Sequence, residues 1–267
     1  MPMYPPRRIV CLTEETVEAL YLMGEDARIV GVSGYAVRPP QVRREKPRVA
    51  AFTSAKIDKI LALEPDLVLT FSDLQADIVA DLVKAGIAVH AFNQRDIAGI
   101  FDMLRMLGGL IGEPEKAEAL CARLEGRLAD IRAASAKLPR RPKVYFEEWD
   151  EPMITGIGWV SELIGIAGGE ECFPHLVKEP SASNRIISHS DLLAADPDIF
   201  IGSWCGKKFQ PEAVRARPGY EALTAVRAGA LHEVKSTIIL QPGPAALTDG
   251  LDALVDIIHG WAAAQAA

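Results

Sequence analysis

Two rhythms alternate along this chain. In "KIDKILALEPD", Ile57, Ile60, Leu61 and Leu63 recur at helical spacing until Pro65, which cannot continue a helix and pushes Glu64 out of the right-handed α region. The following "DLVLTF" is an unbroken apolar run ending at Phe71, the habit of a strand covered on both faces in a parallel sheet. The same phrase returns as "LAADPDIFIGSW", with Pro197 in the place of Pro65 and Trp204 just past the apolar run. Helix, tight turn and buried strand make the αβ half of a βαβ unit, and the chain contains it twice.

Other segments correspond in the same order. "RRIVCL" near the start matches "RPKVYF" at Arg141 to Phe146; an apolar helix ending at Gly24 matches one ending at Gly168; "VHAF" from Val89 matches "LHEV" from Leu231. The prediction is an α/β fold of two similar lobes, each a small parallel sheet flanked by helices. Between them, Ala117, Leu120, Cys121, Leu124, Leu128 and Ile131 recur at three and four residues, with Pro114 at the start and no proline from Glu115 to Lys137. This spells one long helix of about 37 Å at about 1.5 Å per residue. The expected organisation is an N-terminal lobe over 1–112, a backbone helix over 113–138 and a C-terminal lobe over 139–267. A stiff connection of this kind implies restricted rocking and a ligand cleft of nearly fixed width between the lobes.

Composition narrows the function. The chain of 267 residues is 49% hydrophobic and 24% charged, ordinary globular material. A net charge of −7, with no run of basic residues longer than two, argues against nucleic acid or anionic lipid as partner. "MPMYPPRRIVCL" lacks the apolar stretch of about 7–15 residues of a secretory leader, and no segment reaches the roughly 18 apolar residues of a spanning helix. The expectation is a monomer without membrane insertion. It is cytoplasmic if the sequence is complete as written, and periplasmic or at the cell surface if a leader has been removed. Cys11, Cys121, Cys172 and Cys205 form no C-x-x-C pair; Cys11 and Cys121 fall in apolar patterns, and no disulfide is expected from spacing.

The doubled αβ lobe and backbone helix, with "RIVCLTEETVEALYLMG", "GVSGYAVRPP" and "EPDLVLTFSD", resemble the helical-backbone class (class III) of ABC-transporter substrate-binding proteins. The likeness runs from Arg8 to Trp261 and is strongest to the cobalamin-binding branch, whose relatives bind iron siderophores and haem. It implies non-enzymatic binding of cobalamin or another corrinoid, as the binding component of an importer or as a soluble carrier. The protein itself would carry no cofactor.

In open α/β sheets, ligands sit beyond the carboxyl ends of the strands. Phe71 and Trp204 stand there in the two repeats, and broad aromatic faces suit a flat macrocycle. Tyr35 matches a family position where an aromatic residue touches ligand. Glu14 and Thr16 open the first helix, where a polar ligand edge can bind. Trp149 and Trp159 lie in the mirrored loop of the second lobe, and Gln241, in a rigid Pro-Gly-Pro turn, suits the amide rim of a corrin. Trp261, among Leu247, Leu251, Leu254 and Ile258, reads as core. The family docks on its permease through one exposed acid per lobe; Asp77 and Glu212 match, although relatives usually carry glutamate where Asp77 stands.

Two other chemistries have residues to support them. The five histidines show no ligand spacing, so no protein metal site is expected, while an axial Tyr35, His175 or His189 leaves haem open. Glu147, Glu148, Asp150 and Glu151 crowd one strand end, where like charges can raise a carboxyl pKa for acid-base work in an enzyme of tetrapyrrole or metal-chelate metabolism. No nucleophile elbow, phosphate loop or dinucleotide fingerprint accompanies them.

Overall fold

The repeated Pro-Asp turn explains itself in three dimensions. The residues before the two prolines, Glu64 and Asp196, both take left-handed backbone, with φ 46° and 42°. Non-glycine residues hold this conformation at a cost of about 1 kcal/mol or more, so the surroundings must enforce it. The aspartates after the prolines supply the clamp. The Asp66 carboxylate accepts from the backbone N–H groups of Arg7 and Arg8 at 2.8 and 2.9 Å, and that of Asp198 from the N–H of Lys143 at 2.9 Å. The aspartate N–H groups return the bond, to the carbonyls of Arg8 and Lys143, each at 2.9 Å. Even the following cations match: Arg8 donates to the Leu63 and Glu64 carbonyls and Lys143 to that of Ala195, closing the ends of the preceding helices. Each copy thus pins a helix end to the start of the first strand of its own lobe.

The computed structural model describes residues 4–266. Two compact units emerge, one of residues up to Gln94 with Ala98–Arg123, the other of Arg95–Ile97 with Leu124 onward. In the first unit, strands β1 (Ile9–Cys11), β2 (Ile29–Ser33), β3 (Arg48–Ala50), β4 (Leu67–Phe71) and β5 (Val89–Phe92) form an all-parallel sheet in the order β3-β2-β1-β4-β5. β1 and β4 are buried along their whole length, as their unbroken apolar runs require. Val10, Leu12, Ile60, Val68 and Leu82 make the core on one face of this sheet.

The second sheet contains β6 (Lys143–Asp150), β7 (Met153–Thr155), β8 (Glu170–Glu171), β9 (Ile199–Gly202) and β10 (Leu231–Glu233), ordered β10-β9-β6-β7, with β8 also on β6. β8, β9 and β10 run parallel to their partners, as in the first unit. The segment read as a loop, "EEWDEPMITGIGW", departs from expectation: β6 continues to Asp150 and turns back as antiparallel β7, pairing Glu147 with Thr155 and Asp150 with Met153. Met153 and Thr155 face inward and are buried, which holds this three-residue strand. Its core gathers Tyr145, Phe200, Phe209, Trp204 and Tyr220.

The two matched helices, Glu14–Leu22 and Gly158–Ile166, are both followed by a left-handed glycine, Gly24 at φ 73° and Gly168 at φ 93°. The long helix runs Pro114–Ser135, and the boundary between the units falls within it, after Arg123.

Candidate functional site

At the carboxyl ends of the first sheet the backbone is organised by one amide. Gln75, fully buried, accepts from the Phe71 N–H at 3.0 Å and donates to the carbonyls of Leu12 at 3.2 Å and Phe52 at 2.7 Å, joining the segments that follow β1, β3 and β4. Ser72 just after β4 takes φ 66° and caps the next turn through the Leu74 N–H at 3.3 Å. Phe71 is therefore drawn inward and is 7% exposed. Tyr35, in the turn after β2, does the opposite: its N–H donates to Ser33 Oγ at 3.2 Å while its ring is 54% exposed.

At the start of the first helix, Thr16 is fully buried and donates to the Thr13 carbonyl at 3.4 Å, while Glu14 is half-buried. Beside them Glu15 is 2% exposed and accepts from the Thr13 hydroxyl at 2.5 Å. Burial pushes its carboxyl from an ordinary 4.5 up to about 8, against that hydrogen bond. Its folded-state pKa is raised, so its contribution to stability is complete below 4.5 and is lost as pH rises through 8. Burial raises Glu171, in the second unit, to about 7 with the same sign. The melting temperature is expected to fall across this window, and Glu15→Gln to flatten part of the fall, in thermal unfolding measured at a series of pH values.

Three of the four acids crowded at the end of β6, Glu147, Glu148 and Asp150, each have their own cation. Glu147, fully buried, accepts from Arg217 Nη1 and Nη2 at 2.7 and 2.9 Å, from Trp204 Nε1 at 2.9 Å and from the Tyr145 hydroxyl at 3.1 Å. Burial disfavours the Arg217 charge, but the bonds to Glu147 and its field outweigh this and raise the guanidinium pKa. Burial, reinforced by the Glu147 charge, holds the Tyr145 hydroxyl well above its ordinary value. Glu148 pairs with Arg185 at 2.7 Å, whose side chain is 1% exposed, and Asp150 pairs with Lys207. Carboxylates held this way are anchors for neighbouring groups.

Trp204 is consequently buried at 5% exposure, its ring set edge-on against Phe209 at 5.0 Å. Phe209 in turn lies on Gly202, where a Cβ would come within 2.0 Å of the ring, so glycine is required at the end of β9. One margin of Trp204 reaches a cavity of about 470 Å³ at the carboxyl ends of β9 and β10, lined also by Lys207, Lys208, Glu233 and Lys235. Trp149 is half-buried, bonds the Glu151 carbonyl at 2.8 Å and stacks under the Lys207 ammonium at 4.3 Å. Trp159 is core at 2% exposure, with its N–H on the Ile239 carbonyl at 2.9 Å, and so offers no face to a ligand. Gln241 is half-buried. Trp261, read as core, is half-buried and lies under the Arg140 guanidinium at 4.9 Å. Asp77 is exposed in the first turn of the helix Ala76–Lys84; Glu212 is also exposed and bonds Arg215 at 2.6 Å. No disulfide joins cysteines among the described residues.

The structure therefore assembles Trp149, Trp204 and the lysines at one strand end, and leaves Tyr35 exposed at another. Gln75, Arg217 and the three lysines were not read from the sequence. Arg217 bonds a residue 70 positions away, and no local pattern marks it.

A profile of the periplasmic binding protein family matches residues 9–237. The chain belongs to that family. This periplasmic binding protein is 23% identical to an uncharacterised ABC transporter substrate-binding lipoprotein of Bacillus subtilis over 265 residues, 95% of this chain and 80% of that one. It is 29% identical to a vitamin B12-binding protein of Vibrio cholerae over 174 residues, 64% of this chain, and spans 62% of that relative's length. Among solved structures, a possible iron-binding periplasmic solute-binding protein from Staphylococcus epidermidis superposes with a TM-score of 0.82 at 21% identity, covering 96% of this chain and 99% of that one. A periplasmic haem-binding protein from Pseudomonas aeruginosa gives 0.80 at 23%, covering 96% and 93%. These likenesses establish the fold, that of the class III substrate-binding proteins. Among the described residues no helix is long and apolar enough to cross a membrane.

Proposed function

We propose that this periplasmic binding protein captures a metal chelate, a corrinoid of the cobalamin type, as the substrate-binding component of an ABC importer. The observation that carries the reading is the aromatic surface left at strand carboxyl ends, above all Tyr35, a large ring 54% exposed where α/β sheets receive their ligands. A ring held outward costs apolar exposure unless something covers it, and a flat macrocycle does so with little loss of side-chain entropy. Support for the corrinoid comes from the relatives named for vitamin B12 and cobalamin binding.

Haem is the second reading. It is favoured by the exposed Tyr35 phenol, a group able to act as an axial ligand, and by the haem-binding structural neighbour. A periplasmic or cell-surface location accords with relatives named as periplasmic or as lipoproteins. Docking on a permease would use Asp77 and Glu212, the latter after exchanging its present partner Arg215.

Absorbance titrations of the purified protein with cobalamin, haem and a ferric siderophore test the reading. Cobalamin is expected to saturate one site, and Tyr35→Ala to weaken it about tenfold or more at an unchanged melting temperature, since the ring packs little of the fold. Failure of all three chelates to saturate would overturn it.

A further inference from the structure

We infer that the cavity at the carboxyl ends of β9 and β10 is a subsite for an acidic oxygen group, carboxylate or phosphate, on the rim of the ligand, and that the protein prefers an anionic chelate to its neutral counterpart. The inference rests on the chelate-binding reading and adds the charge of the ligand to it.

The protein as a whole carries a net charge of −7, which repels anions, yet this one cavity of about 470 Å³ is lined by Lys207, Lys208 and Lys235. Counting Glu233 in the lining and Asp150 beside it, the pocket still keeps a positive surplus. The acids are also committed. Asp150 pairs with Lys207, and a Glu233 carboxylate oxygen accepts the Phe209 N–H at 3.0 Å. Lys208 and Lys235 have no acidic partner among the described residues, and Ser236 and Thr237 add hydroxyl donors to the same wall.

Lys207 is fixed where the other two are free. Its ammonium lies 4.3 Å from the Trp149 ring centre and 5.1 Å from that of Trp204, held by cation–π attraction from both and by Asp150. Trp204 is fixed from beneath by its bond to buried Glu147. The pocket therefore sets the one accessible margin of Trp204 beside a positive rim that meets whatever acidic group the ligand carries. Exposed ammonium groups act mainly at low salt, where they are least screened.

The test compares cobalamin, whose rim carries amides, with its monocarboxylic derivative, in which one of those amides is hydrolysed, and with haem, which bears two carboxylates. The wild-type protein is expected to bind the monocarboxylate about tenfold more tightly than cobalamin at low salt, with the advantage shrinking as salt rises. In the double variant Lys208→Gln/Lys235→Gln the ratio should fall to near one at an unchanged melting temperature. Equal affinity for the two corrins in the wild type would overturn the subsite while leaving chelate binding intact. A preference that survives in the double variant would overturn the role of the lysines. Absence of binding by all three chelates would overturn both this inference and the reading beneath it.

Discussion

Arg217→Met is expected to destabilise the protein by about 3–5 kcal/mol, the usual cost of leaving a buried charge without its partner. Glu147 is completely buried, and among the described residues Arg217 provides two of its four hydrogen bonds and its ion pair. Methionine preserves much of the stem but none of the charge. The remaining donors, Trp204 Nε1 and the Tyr145 hydroxyl, are neutral and cannot compensate a carboxylate alone. Adding Glu147→Gln removes the uncompensated charge, so the double variant should regain more than half of the loss. Urea unfolding of the two single variants and the double closes the cycle. A loss below about 1 kcal/mol for Arg217→Met would mean that the pair does not hold Trp204 in the way described.

Gln75→Leu is expected to cost about 3–5 kcal/mol. Leucine fills a similar volume but abandons three groups at once: the Phe71 N–H and the Leu12 and Phe52 carbonyls. A buried group left without a partner costs about 1–3 kcal/mol, and some of these will find water once the strand ends loosen. The same variant should increase amide exchange at Phe71 more than at Val68, in the middle of the same strand, because only the end of β4 depends on the amide. Uniform exchange along β4 would show that the strand end is held by packing alone.

Gln75 and Glu147 show where the sequence was legible and where it was not. The doubled turn was readable because its physics is local: a proline stops a helix whatever surrounds it, and an unbroken apolar run wants both faces covered. The two left-handed residues and the paired aspartate clamps follow from that phrase. The long helix and the two αL glycines were equally local signals. Strand ends could be located in the same way, and Tyr35, Phe71 and Trp204 do lie at them. What the pattern could not convey is which way each ring turns. Trp204 goes inward because Glu147 accepts its N–H and Phe209 packs on its edge, and Phe71 because Gln75 ties its backbone; these partners come from other segments of the chain. The crowd of acids after β6 looked like shared charge for the same reason, since Arg185, Lys207 and Arg217 lie far along the chain from the residues they neutralise. β7 escaped notice because three residues are too few to display a period.

The central claim is that an aromatic residue left exposed at a strand carboxyl end, Tyr35, helps to receive a metal chelate. Calorimetric titration of cobalamin into the wild-type protein, repeated with Tyr35→Ala, tests it most directly. One molecule is expected to bind per chain, with affinity reduced about tenfold or more in the variant while it remains folded. Cobalamin affinity unchanged in the variant, or no binding to the wild type, would contradict it.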